Sequence, residues 1–184
     1  MNTEKLIKLG RNTALSSFLF GTLIFGLYFF TSSFMMLIVG YGFVAFVGLI
    51  NIGVLSILLN AANDKINRKK LLGTCGLMLL NIPIMILYCW FAIILLDTMR
   101  ITFTNCTQTN LTEINIVGCE TEHLDKLEIG ESKTVWVGIT GDCTININYL
   151  ENGQRKEENV AGYVTSSMGQ KMNFKIGVPN EILF

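Results

Sequence analysis

From Thr13 to Asn60 the chain runs through 48 positions without a charged side chain, and from Leu71 to Leu96 through another 26. A single helix of 48 residues would be about 72 Å long. The hydrocarbon core of a bilayer is about 30 Å thick, so the first run has to cross twice. Its one polar cluster, Thr31-Ser32-Ser33, marks the break. The pattern therefore predicts three transmembrane helices over about 13–31, 34–60 and 71–96, in a membrane domain spanning residues 1–97.

After Asp97 the period changes from helical to two. Ile101 and Phe103 alternate with polar residues, as do Ile114 and Ile116, then Val135, Val137 and Ile139. Ile145, Ile147 and Tyr149 follow, then Val160 and Val164, then Phe174 and Ile176. Alternation of this kind reads as half-buried strands. Turn pairs separate them: Gly130-Glu131, Gly141-Asp142, Asn152-Gly153 and Met168-Gly169. Asn-Gly suits a two-residue hairpin, in which both turn residues need positive φ. Six or seven short antiparallel strands over 98–184 predict an all-β sandwich of immunoglobulin-like kind. The expected fold class is thus a three-span helical membrane protein carrying a C-terminal sandwich.

Charge sets the expected orientation. Lys5, Lys8 and Arg11 precede the first span, Lys65, Arg68, Lys69 and Lys70 lie between the second and third, and the Ser32 turn has none. Short loops rich in Lys and Arg stay cytoplasmic. This places the N-terminus and the 61–70 loop inside the plasma (inner) membrane, and Ser32 and the β domain outside, in the periplasm if the cell is Gram-negative. A cleaved signal peptide is the competing reading of the first span. The apolar stretch is long for one, however, no A-x-A pattern follows, and another span begins at once. Tyr88 and Trp90, toward the outer end of the third span, suit an interfacial aromatic belt.

The formal net charge of zero is a cancellation. Residues 1–70 carry seven Lys/Arg against two acids, and 71–184 carry seven against twelve. An acidic outer domain argues against nucleic acid as its partner. No ionisable residue lies inside the spans, whereas pumps and transporters keep such costly groups there. Asn51, Ser56, Thr74 and Asn81 are the polar side chains singled out within them, with Cys75 and Cys89 as packing residues. Pro83 removes a backbone donor and predicts a kink, beside which Asn81 can bond across helices. Gly42, Ala45, Gly48 and Gly53 would admit a close neighbour, so a homo-oligomer or a larger membrane complex is compatible with the spans.

Three cysteines, Cys106, Cys119 and Cys143, fall in the compartment where disulfides persist. If 101–106 and 111–118 form a hairpin, Cys119 returns to its near end. A strand at about 123–129 turning back at Gly130 would bring Cys143 there too. Cys119–Cys143 is then the expected bridge, with Cys106 left over. The sole histidine, His123, stands among Cys119, Glu120, Glu122 and Asp125 without metal-ligand spacing. Ser–His–acid or Cys–His hydrolysis would have to use that histidine. No Gly-x-Ser-x-Gly or phosphate loop is present. The expectation is a non-enzymatic protein with no catalytic, cofactor or metal residues and no cofactor. Asn105-Cys-Thr and Asn110-Leu-Thr match glycosylation triplets, which matter only in a eukaryotic secretory host.

The stretch LDKLEIGESKTVWVGI, Leu124 to Ile139, resembles the strand–GES–strand step of bacterial immunoglobulin-like, adhesion-type sandwiches. The whole chain is similar in style to small membrane proteins of Bacteroidota. The resemblance implies a fold and brings no activity with it. Two functions stay open. One is a membrane-anchored interaction protein whose outer sandwich binds a membrane or envelope protein. The other is an immunity protein, or an accessory or regulatory subunit, acting through its helices.

Overall fold

The structure, a computed structural model, describes residues 3–63 and 66–180. Lys65, one of the expected orientation residues, lies outside the described residues, as does Asp64. The chain divides into two compact units, Met1–Ala92 and Ile93–Phe184. The division falls inside the last helix and not at Asp97, because that helix's final turn is built into the β unit.

The first unit holds α1 (Thr3–Thr31), α2 (Phe34–Ala61), α3 (Arg68–Leu79) and most of α4 (Asn81–Leu96). Three helical stretches are long and apolar enough to cross a membrane: Thr3–Thr31, Phe34–Ala61, and Arg68–Leu96 taken as one. Helix α1 begins well before residue 13 and takes in Lys5, Lys8 and Arg11. Helix α3 likewise absorbs Arg68, Lys69 and Lys70 into its first turn. A charge-free run therefore marks where a helix can be buried in lipid, not where it starts. The third stretch is interrupted at Leu80. Pro83 has no N–H, so the Leu79 carbonyl four residues earlier lacks its helical donor.

The helices meet where a side chain is missing. A Cβ on Gly10 would stand 2.6 Å from Leu58 Cδ1 and 2.8 Å from Thr74 Cγ2. Around this point Leu6, Ala14, Leu58, Ala62, Leu71, Cys75 and Met78 form a buried cluster. Gly42, Gly48 and Gly53 have nothing within 4 Å of such a Cβ. The close approach runs through Gly10, which the small-residue pattern did not single out.

The second unit has seven strands: β1 (Thr98–Asn105), β2 (Leu111–Val117), β3 (Glu122–Leu127), β4 (Ser132–Gly138), β5 (Cys143–Glu151), β6 (Gln154–Val164) and β7 (Lys171–Ile176). They form a three-stranded sheet, β4-β1-β7, and a four-stranded one, β3-β2-β5-β6. The inward residues of both sheets belong to one buried cluster that includes Phe103, Ile116, Leu127, Val137, Ile147 and Phe174.

The strand pairing corrects two expectations. Strands β1 and β2 do not pair as a hairpin. The chain changes sheet between them, as it does between β3 and β4, between β4 and β5 and between β6 and β7. The first crossing is built on buried Asn105, whose Nδ2 donates to Thr109 O (2.8 Å) and Leu127 O (3.1 Å) while its Oδ1 accepts from the Thr107 N–H (2.9 Å). Nor are all pairs antiparallel. Strand β1 lies parallel to β7, with Arg100 opposite Lys171 and Asn105 opposite Ile176. The Asn152-Gly153 turn does close a hairpin, with φ of 53° and 76° and Glu151 opposite Gln154.

Candidate interaction surfaces

The α4–β1 junction is short and held by several hydrogen bonds. Asp97 alone separates helix from strand. A helix leaves its last carbonyls without intrahelical donors, and here the β unit supplies them. Thr98 Oγ1 donates to Ile94 O (2.7 Å), and the Gly169 N–H donates to Leu96 O (2.6 Å). Asp97 is held on both sides, its carbonyl accepting from Ile139 N–H (2.8 Å) and its carboxylate from Ser167 N–H (2.9 Å). Gly169 has to be glycine, since a Cβ there would collide with the carbonyls of Leu95 and Leu96.

The outer face of the three-stranded sheet follows from the register of β1 with its neighbours. Met99, Ile101 and Phe103 point into the core, so alternate residues of β1 point out. Three rows result: Trp136–Arg100–Lys171, Thr134–Thr102–Asn173 and Ser132–Thr104–Lys175. Hydroxyls pair across strands, Thr102 with Thr134 and Thr104 with Ser132, both at 2.8 Å. Trp136 is 45% exposed. The Arg100 guanidinium, on a side chain only 4% exposed, stands 5.7 Å from the Trp136 ring centre. The rows hold three cations, Arg100, Lys171 and Lys175.

The other sheet turns a different face outward, with His123, Asn115, Asn148 and Glu157 in one row. His123 is exposed and bonded within that face, Nδ1 to Asn115 Oδ1 (2.9 Å) and Nε2 to Asp125 Oδ1 (3.2 Å). Among the described residues no three His, Cys, Asp or Glu side chains converge as metal ligands.

Cys119 and Cys143 come together as a disulfide with their Cα atoms 5.4 Å apart. The route differs from the expected one. Cys119 trails β2 and Cys143 opens β5, and these strands are neighbours, with Val117 opposite Asn146. Cys106 is free and exposed. Of the two glycosylation triplets, Asn105 is fully buried and Asn110 is exposed, its Oδ1 accepting from Ile129 N–H (3.2 Å).

Two groups in the β unit are electrostatically perturbed. Burial, then the Glu158 carboxylate that accepts its proton, pushes the Tyr149 hydroxyl well above its usual range. The Glu158 oxygen also accepts from Gly177 N–H (3.0 Å). At the β3–β4 crossing, the Glu128 N–H donates to Glu131 (2.7 Å) and, with Lys133 and Lys126, holds the Glu131 carboxyl below its usual range.

In the helical unit, polar groups link the helices around an apolar cavity of about 370 Å³ lined by α1, α2 and the third stretch. Asn81 Nδ2 donates to Ala14 O (3.0 Å), and Asn51 Nδ2 donates to Ser17 Oγ (2.9 Å). Asn51 Oδ1 is buried with no hydrogen-bond partner among the described residues. Tyr88 stacks on Phe25 at 4.8 Å and bonds Thr22 at 2.8 Å, so it faces α1, whereas Trp90 is 56% exposed.

No family of known proteins, no curated protein and no solved structure matches this chain.

Proposed function

We propose that the chain is a multi-pass plasma-membrane protein with a cytoplasmic N-terminus and an immunoglobulin-like sandwich outside, and that it works without chemistry of its own. The sandwich binds a protein in or close to the same membrane. The observation that carries this reading is the junction at Asp97. A strand following a helix after one residue, with the helix's last carbonyls bonded to the β unit, has no flexible tether to lengthen its reach.

A photo-cross-linking residue at exposed Tyr163, in intact cells, should yield an adduct with one membrane or membrane-proximal protein. The same adduct should form when residues 98–184 are carried on a foreign span. Loss of the adduct on the foreign span would move the binding to the helices. A second reading, an accessory subunit acting through its spans, draws support from the apolar cavity among the helices.

A further inference from the structure

We infer that the cavity among α1, α2 and the third helical stretch is a binding site for one acyl chain of a membrane lipid. The inference rests on the membrane reading of the helices and not on the protein partner proposed above.

The site begins where the helices stop packing closely. Around Gly10 the inward side chains are covered, with Leu58 0% and Leu71 1% exposed, and α3 packs against both α1 and α2. Past the break at Leu80, α4 reaches α1 through side chains, Asn81 bonding the Ala14 carbonyl and Tyr88 stacking on Phe25. Val44, Val47 and Gly48 of α2 line the cavity and are only half-buried. A Cβ on Gly48 would meet nothing within 4 Å. Glycine weakens a helix interior relative to alanine, and here no neighbouring helix takes up the room that its small size leaves.

Size and chemistry select the occupant. One turn of α-helix, about 10 Å across and 5.4 Å long, fills about 420 Å³. That exceeds the cavity's 370 Å³, so a partner helix does not enter it. An apolar cavity of about 150 Å³ holds the six carbons of benzene. At that filling 370 Å³ holds about fifteen carbons, the size of one acyl chain. None of the lining residues carries a charge, so a charged lipid head stays outside. The polar groups in the wall are spent on protein. Asn51 Nδ2 donates to Ser17 Oγ and Val47 O, Ser17 Oγ to Thr13 O, and Asn81 Nδ2 to Ala14 O, while Asn51 Oδ1 is covered. These groups direct no hydrogen bond into the cavity, which suits hydrocarbon.

The test uses the full chain in nanodiscs of phosphatidylcholine, doped with a phosphatidylcholine that carries a photoactivatable diazirine on one acyl chain. Phe46 and Leu49 of α2 are exposed and do not line the cavity, so they report the surrounding bilayer. Adducts on Val47 and Met85, which do line it, should exceed those on Phe46 and Leu49 by about tenfold. Gly48→Phe puts a ring of benzene's size, about 150 Å³, into the cavity. It should cut the Val47 and Met85 adducts about tenfold and leave those on Phe46 and Leu49 unchanged. Met85→Trp, filling the cavity from α4, should cut the Val47 adduct likewise and keeps the test decisive if Gly48→Phe misfolds. Circular dichroism and the intact Cys119–Cys143 bridge report folding. Even labelling of the four positions would mean bulk lipid, and adducts that ignore both variants would mean a different site. Loss of the adducts on adding polyprenol, where added phosphatidylcholine has no effect, would mean an isoprenoid chain. Each of these results overturns the inference. Failure to label even Phe46 and Leu49 would overturn the membrane reading beneath it.

Discussion

Tyr149 shows how a single side chain ties the two sheets of the β unit together. It lies on β5 in the four-stranded sheet and donates to Glu158 on β6, and the same carboxylate holds the Gly177 N–H just beyond β7 of the other sheet. Burial and the adjacent carboxylate raise its pKa in the folded state. A raised folded pKa contributes stability that is fully present below the unfolded value, about 10 for tyrosine, and is lost as pH rises beyond it. In a Trp90→Phe background, denaturation followed by Trp136 fluorescence should show the β unit losing stability between pH 9 and pH 11, in the range of about 10 where tyrosine ionises. Tyr149→Phe should be less stable by about 1–2 kcal/mol at pH 8 and nearly flat over the same interval. An unchanged alkaline slope in the variant would show that another group is responsible.

Which side chains meet was legible in the sequence only where local chemistry decides it. The Asn152-Gly153 turn could be read because two adjacent residues carry the whole signal. The Cys119–Cys143 pairing was reached by an expected β1–β2 hairpin that does not exist, and it stands because β2 and β5 are neighbours. Asn105 could be read only as a glycosylation triplet. Its structural role, bonding Thr109 and Leu127, depends on a residue 22 positions away.

At the scale of the element, the strands were legible and their neighbours were not. Alternation fixes which face of a strand is buried, and β1, β2, β4, β5, β6 and β7 bury the expected residues. It does not say which sheet a strand joins, and four of the connections here change sheet. The third span has a comparable gap. Hydropathy makes 71–96 one stretch, while Pro83 divides it at Leu80. Just beyond the break, Asn81 bonds the Ala14 carbonyl across to α1. Hydrogen bonds between membrane helices contribute about 0.6 kcal/mol on average and at most about 1.7. Asn81→Leu should therefore destabilise the helical unit by about 1 kcal/mol, measured by reversible unfolding in mixed micelles. No loss at all would mean that the bond adds nothing beyond packing.

At the scale of the whole molecule, the division into helices and sheets was visible in the charge distribution, because 71–96 has no charge and the strands after it are rich in them. The proposed orientation rests on the positions of Lys and Arg, with Arg68, Lys69 and Lys70 now on the first turn of α3. Cations at a helix N-terminus oppose its dipole, at about 0.3–1 kcal/mol each, so their placement serves something other than helix stability. In the proposed topology that purpose is retention on the cytoplasmic side. An enzyme reporter active only outside the cytoplasm should therefore work when fused after Gly177 and fail when fused after Asn67. The reverse pattern would invert the proposed topology.

The parallel pairing of β1 with β7 has a consequence for the order of assembly. Arg100 leaves the ribosome 71 residues before Lys171, its register partner. At about 5–20 residues per second that is an interval of about 4–14 s. Until β7 arrives, β1 has β4 on one side and an open edge on the other, and open edges recruit foreign strands. A chain cut short before Lys171 would keep every helix and six of the seven strands, yet would leave that edge bare. Closure of the three-stranded sheet therefore waits for the last strand of the chain to be made.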